Sequence, residues 1–463
     1  MQNTDPVWDL VERRRAAYEA LSDRIFDAPE TSYGEYHAVA EHTARLRAEG
    51  FRIREAPAGI PTAVIGEAGE GGPVIAILGE YDALPGLAQR SGVAEPCPVS
   101  DGGEAGAGHG CGHNLLGAGA LLAAAAVKEW LEANHLPGRV RYYGCPAEEG
   151  GAAKTFLVRA GAFQDVDIAL SWHSGALAGV NDARSLANMR IDFSFTGRAS
   201  HAAAAPHLGR SALDAAELMN VGVNYLREHM PSDARIHYAY LDAGGVAPNV
   251  VQAHAKIRYV VRAADVVQMR ALAARVEACA RGAALMTETE VTWRVLSAVS
   301  NLVGNTPLER AMYANWERLG PPPFDAADRA FAEKIRATLS EEDLHAPYRR
   351  AGVPFRRDEP VSAHITPLEA RGEAMLPSTD VGDVSWVVPL VQADGPTFAV
   401  GVPFHSWQLT AHGKTPLAHK GMVQTAKVLA ATAVDVLRSP DLVAAARADH
   451  AARTAATPYE CPI

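Results

Sequence analysis

The 463-residue chain is poor in cysteine: it has five, an odd number, scattered at positions 97, 111, 145, 279 and 461. That is no disulfide scaffold, and a reducing compartment, the cytoplasm, is the expectation. Positive charge is also in deficit, with 43 Lys and Arg against 54 Asp and Glu, a net charge of -11. Nucleic acid and anionic membranes are therefore not expected as main partners. Long apolar runs are missing too. The longest, Leu115 to Val127, is too short and too rich in Ala and Gly to span a bilayer. The opening MQNTDPVWDLVERRR holds no apolar stretch behind a positive N-terminus, so no secretory leader is expected. Repeats and low-complexity tracts are absent as well. What remains is 48% hydrophobic and 21% charged, ordinary for a globular protein, at a length that suits more than one domain.

The pattern along the chain predicts an α/β layer. A helical stretch from about Pro6 to Arg54 precedes a continuous apolar run, Pro73 to Gly79, that suits a buried parallel strand. An Ala-rich helix follows from Asn114 to Asn134. Strands over Arg139–Tyr143 and Val166–Trp172 come next. Residues just past the ends of such strands line the site in this architecture. Asp82, Glu148, Glu149 and His173 all occupy such positions. Between about Ser185 and Ser300 the pattern becomes strand (Met189–Phe195), helix (Ser211–His229), strand (His237–Leu241), strand (Ala255–Arg262), helix (Asp265–Met286), strand (Glu290–Val295). This βαββαβ order is the ferredoxin-like arrangement. The expectation is a mixed, largely parallel sheet domain (1–186 and 301–463) with an inserted ferredoxin-like α+β lid or dimerisation domain (187–300). The Pro-rich Gly320–Phe324 and the polar stretch from Pro347 to Ser378 read as loops or lids. Pro396 reads as a strand start leading through Thr397–Val400 towards His405, before a long helix, Met422 to Leu437.

Chemistry concentrates in Gly108-His109-Gly110-Cys111-Gly112-His113-Asn114 and Cys145-Pro146-Ala147-Glu148-Glu149. Thiol, imidazole and paired carboxylates are the parts needed to hold a divalent ion and move a proton. Each part alone has a plainer reading: a buried Cys, a core or capping His, a solvated acidic turn. Together they are more specific. Two ions need about five protein ligands if one bridges. Cys111, His113, Glu149, His173 and His405 supply that number and leave Glu148 as proton shuttle. If Glu148 and Glu149 lie on extended backbone, one faces the metals and the other the substrate.

These segments, with Gly79-Glu80-Tyr81-Asp82-Ala83-Leu84-Pro85-Gly86, Trp172-His173, Ser200-His201, Ala247-Pro248-Asn249, Ser378-Thr379-Asp380 and His405-Ser406-Trp407-Gln408, occur in a specific order. In that order the chain resembles the M20 metallopeptidase/amidohydrolase family, and within it the branch that hydrolyses N-acyl and aromatic amides of amino acids. The resemblance covers nearly the whole chain. It implies two divalent ions, zinc or manganese, with Cys111 as the bridging ligand, His113 and Glu149 around it, and His173 and His405 on opposite ions. It makes Glu148 the general base and Asp82 the residue that orients a ligand. It makes His201 an oxyanion-stabilising residue that reaches a neighbouring subunit's site, and Asn249 and Arg262 the holders of a substrate carboxylate. It also implies a homodimer formed through the inserted domain. Two departures stand out: Glu80 where many members have a His ligand, which the amide-hydrolysing branch also lacks and replaces with the His after Cys-Gly, here His113; and Asn114 where the branch usually has Asp.

The implied activity is metal-dependent hydrolysis of N-acyl or aromatic-acyl amino acids, aminobenzoyl-glutamate-like conjugates among them. Arg262 suits a free carboxylate because its planar fork binds two oxygens. A dipeptidase acting on β-alanyl or related dipeptides would use the same metals. The rival of another class, a non-catalytic module that captures such conjugates, should have lost the base or a ligand, and this chain retains all six.

Overall fold

The computed structural model describes residues 6–99, 106–373 and 377–463. Its strands in chain order are β1 (Arg52–Glu55), β2 (Val64–Glu70), β3 (Val74–Glu80), β4 (Gly138–Cys145), β5 (Ile168–Gly175), β6 (Gly179–Val180), β7 (Ala187–Thr196), β8 (Arg235–Asp242), β9 (His254–Ala263), β10 (Glu290–Val299) and β11 (Leu390–Pro396). The chain divides into two units. One comprises Met1–Arg184, Val303–Met375 and Val384–Tyr459; the other comprises Ser185–Leu302, Leu376–Asp383 and Glu460–Ile463.

The larger unit is built on a seven-stranded sheet of order β1-β2-β4-β3-β5-β11-β6. Its centre, β4-β3-β5-β11, is parallel, and β1, β2 and β6 are antiparallel at the edges. The strand β3 is buried along its whole length because it has neighbours on both sides and helices over it. The helix His113–Asn134 crosses from β3 to β4 and is almost entirely buried, which its run of Ala and Leu permits. It packs with the helices Pro6–Asp27 and Pro416–Arg438 in one core. All four central strands therefore point their C-terminal ends the same way, and the loops that leave those ends carry the chemistry.

The smaller unit is a four-stranded antiparallel sheet of order β10-β7-β9-β8, with helices Ala212–Leu226 and Val266–Thr287 packed on it. Its βαββαβ succession and strand order are those of a ferredoxin-like fold. Alternation along β9 buries Ala255, Ile257, Tyr259, Val261 and Ala263 and leaves Lys256, Arg258, Val260 and Arg262 on the other face.

Four local expectations are corrected. Pro6 to Arg54 is two helices, Pro6–Asp27 and Tyr36–Ala48, followed by β1. Pro396 ends β11 rather than starting a strand; Asp394-Gly395 interrupts the apolar pattern that would have marked the true strand upstream. Pro347 lies inside the helix Glu341–Ala351, one turn past a Ser340 capping box strong enough to start it. Glu148 and Glu149 lie on a turn rather than on extended backbone, because Ala147 adopts φ +56° directly after β4.

Candidate metal centre

Seven of the residues singled out from sequence meet at the C-terminal edge of the parallel strands. Asp82 follows β3, Glu148 and Glu149 follow β4, His173 lies near the end of β5 and His405 follows β11. Cys111 and His113 sit where the loop after β3 enters the crossover helix. That entry is tight. Gly112 has φ +75°, and a Cβ there would approach Ser174 Oγ to 2.5 Å. A Cβ on Gly110 would strike Leu87, while the Gly110 carbonyl accepts the backbone N–H of His405 at 2.9 Å. The glycines thus let the Cys111 loop and the His405 loop touch backbone to backbone.

Cys111 is the common member of two donor groups, one with His113 and His173 and one with Glu149 and His405. Within each group the donor atoms lie within 4.8 Å of one another. The Cys111 Sγ is 3.5 Å from His173 Nε2, and His405 Nε2 is 3.4 Å from Glu149 Oε1. Two ligands of one tetrahedral ion, bound at about 2.0–2.3 Å, lie about 3.4–3.6 Å apart.

The histidine tautomers agree with this. His113 Nδ1 faces Asp82 Oδ1 at 3.0 Å and the Asp82 carbonyl at 3.1 Å, both acceptors only, so Nδ1 carries the proton. His173 Nδ1 donates to the Ser174 carbonyl at 2.8 Å. Each ring thereby directs Nε2 inward, the atom a metal would take; against burial, the Cys111 sulfur and Asp82 hold the His113 pKa well above its usual range. His113 Nε2 and Glu149 Oε1 are buried and make no hydrogen bond among the described residues. Unsatisfied buried polar atoms are costly, and a cation among them removes the cost. Burial pushes the Cys111 thiol well above its ordinary pKa, helped by the charge of Glu149. Burial likewise holds His173 below its usual range. A bound cation would reverse the logic at the sulfur and favour thiolate. The donor set of one sulfur, three imidazoles and a carboxylate fits borderline-soft divalent ions. The His405 side is exposed and gives the centre an open mouth.

A sequence profile of peptidase family M20/M25/M40 matches residues 76–358. A p-aminobenzoyl-glutamate hydrolase polypeptide of Escherichia coli is 45% identical over 98% of this chain and 96% of that protein. The chain belongs to peptidase family M20/M25/M40. It is thereby a metal-dependent hydrolase of the amidohydrolase/peptidase type. A second relative, the Xaa-Arg dipeptidase of Mus musculus, is 30% identical over 92% of this chain and 87% of its own length. The fold is shared with a solved dinuclear metal-binding M20 peptidase of Bacillus subtilis. That match has a TM-score of 0.58 at 18% identity and covers 92% of this chain and 99% of that one.

The remaining residues singled out from sequence lie in the smaller unit. His201 is exposed in the loop after β7 and pairs with Val250 in an isolated bridge. Its Nδ1 accepts the backbone N–H groups of Ala203 and Ala204, and the Asn249 carbonyl accepts from Ala202, so His201 and Asn249 share one loop cluster. Arg262 on β9 donates to Ser378 Oγ at 2.9 Å. Burial and the nearby Arg190 lower its pKa, so this face of the sheet favours an anion.

Three residues escaped sequence reasoning. Glu35 Oε1 accepts the backbone N–H of both Tyr33 and Ala147, and Tyr33 OH donates to the Gly151 carbonyl, so an N-terminal loop clamps the Glu148-Glu149 turn. Lys154, wholly buried, pairs with Glu80 at 2.6 Å. A lone Lys among small residues and a Glu beside a tyrosine carry no signal in a single sequence. Asn114, the departure from the branch pattern, donates to Ser22 Oγ and the Gly413 carbonyl. It fastens the helix to its neighbours, and the hydrogen bonding of His113 falls to Asp82 instead.

Proposed function

We propose that this protein hydrolyses the amide bond of aminobenzoyl-glutamate-type conjugates, N-acylated amino acids that keep a free carboxylate, using two divalent ions, zinc or manganese. The observation that carries the reading is Cys111, shared by two donor groups whose spacing suits two ions. The 45% identity to a hydrolase of p-aminobenzoyl-glutamate points to the substrate class.

Cys111 would bridge, with His113, His173, Glu149 and His405 as the other ligands. When bound, such ions polarise a carbonyl and acidify water. Glu148 would accept the proton of the attacking water as the C–O bond forms and the carbonyl becomes a tetrahedral oxyanion, then return it to the leaving nitrogen as the carbonyl re-forms and the C–N bond breaks. Asp82 orients His113 by its carboxylate and Glu149 by its backbone. His201 donates to the oxyanion from the partner subunit, and Asn249 and Arg262 take the carboxylate of the substrate. A homodimer formed through the smaller unit would bring His201 there. Tyr238, Tyr240 and Leu241 on the edge strand β8, with Leu218, Val221 and Tyr225 on the adjoining helix, are exposed apolar groups that suit such an interface. Free cysteines agree with a cytoplasmic setting. Among the described residues, no helix is long and apolar enough to cross a membrane.

The 30% identity to a dipeptidase sustains a second reading, hydrolysis of dipeptides. A panel of aromatic, aliphatic and peptidyl amides, assayed with added zinc or manganese, separates the two. Glu148→Ala should lower hydrolysis about 10²–10⁴-fold with metal content unchanged. Activity retained in that variant contradicts the assignment of the base.

A further inference from the structure

The open face of the smaller unit's sheet is strongly cationic, in a chain whose net charge is -11. Side chains registered across antiparallel strands share a face. Three successive rows cross this one: Asn188–Arg262–Arg235, Arg190–Val260–His237, and Arg294–Asp192–Arg258–Ala239. In these rows five arginines and a histidine surround one acid, Asp192. That acid is already taken. It accepts from Arg258 Nε at 2.6 Å and Nη2 at 3.1 Å, and it pairs with Lys256 at 3.0 Å.

Stability gives no reason for such a gathering. Arg235 stands directly opposite Arg262, and like charges so placed weaken a sheet. Arg190 and Arg262 are half-buried. Burial, then the charge of Arg258, lowers the pKa of Arg190 against the pull of Asp192. Burial, then Arg190, lowers that of Arg262; burial, then Arg262, lowers that of His237. Arg262 Nη1 donates to Ser378 Oγ, and among the described residues no carboxylate pairs with this arginine. A bound anion would relieve the repulsion.

The spacing suits two carboxylates. Arg190 lies opposite Val260, so Arg262 is its diagonal neighbour, about 7–8 Å away at the backbone. The two carboxyl carbons of a glutamate are four bonds apart, about 5 Å when extended. Each guanidinium is a planar fork that can donate two parallel hydrogen bonds to one carboxylate.

We propose that Arg190 receives the second carboxylate of an acidic amino-acid conjugate while Arg262 keeps the first, with Arg258 held beside Arg190 by Asp192. The face thereby selects dicarboxylate ends over neutral ones and repels basic ones. This rests on the reading above in which Arg262 takes the substrate carboxylate.

The test compares aminobenzoyl conjugates of glutamate, of its neutral isostere glutamine, and of arginine, with zinc or manganese added. The full chain is assayed as native protein, Arg190→Gln, Arg190→Lys and Arg262→Gln, with melting temperature as a check on folding. The native protein should favour the glutamate conjugate over the glutamine one by at least about tenfold in kcat/KM, and reject the arginine one. Arg190→Gln should erase that preference, chiefly by raising KM for the glutamate conjugate. Arg190→Lys keeps the charge without the fork and should fall between. Arg262→Gln should weaken both the glutamate and glutamine conjugates. Equal native kcat/KM for those two, or a native preference in Arg190→Gln, would overturn the proposal. Should no conjugate be hydrolysed, the hydrolase reading fails by itself, and calorimetric binding of the uncleaved conjugates still decides. A glutamate preference lost in Arg190→Gln then upholds the second carboxylate site, and binding without preference overturns it.

Discussion

Asp82 holds His113 and Glu149 with one carboxylate. Its Oδ1 lies 3.0 Å from His113 Nδ1, and its Oδ2 accepts the backbone N–H of Glu149 at 3.0 Å. One buried side chain therefore fixes the tautomer of one donor and the place of another. Replacing it by Asn keeps the shape but can turn an amide N–H against the ring. Asp82→Asn should weaken metal binding about 10–100-fold, measured by titration of the stripped protein. Native affinity in that variant would show that the contact is only structural.

Metal binding should take up a site held by a proton. Burial, then the charge of Glu149, raises the Cys111 thiol pKa well above its ordinary value, so the metal-free thiol is protonated through the neutral range. Ion and proton then compete for one sulfur. Affinity should rise with pH, about tenfold per unit for each proton displaced. Calorimetry in buffers of different ionisation enthalpy counts that proton. Affinity independent of pH would mean that Cys111 is not a ligand.

The clamp at Glu35 predicts a pH-dependent stability. Burial and the neighbouring Asp82 raise its pKa from 4.5 to about 7. The folded state therefore holds this proton more tightly than the unfolded chain. The stability it contributes is complete below about pH 4.5 and is lost as pH rises through about 7. Glu35→Gln keeps the oxygen that Ala147 and Tyr33 use and removes the titration. Relative to the native chain, the variant should gain about 3 kcal/mol between the two ends of that window. Urea unfolding of the metal-free proteins at several pH values reads it, and parallel pH profiles would refute the account.

Much of this arrangement was legible because the strands are buried on both faces. A run such as Val74–Leu78 cannot be solvent-exposed, and the ends of such runs point to Asp82, the Glu148-Glu149 pair and His173. The ferredoxin-like unit was legible because its strands alternate, as β9 does. What was not legible depends on contacts between distant segments. Asp394-Gly395 broke the pattern of β11, although parallel pairing with β5 overrides it. The left-handed turn at Ala147, unusual for a residue with a side chain, is held by Glu35 from 112 positions away. The pairing of Glu80 with Lys154 likewise follows from where the chain folds, and neither residue type suggests it.

The central claim is that Cys111, His113, Glu149, His173 and His405 hold a pair of ions. Anomalous diffraction at the zinc or manganese edge from metal-loaded crystals tests it most directly. Two peaks about 3.5–4 Å apart, both in bonding reach of Cys111 Sγ, are the expected result. Peaks elsewhere, or none within reach of that sulfur in fully loaded crystals, would contradict the account.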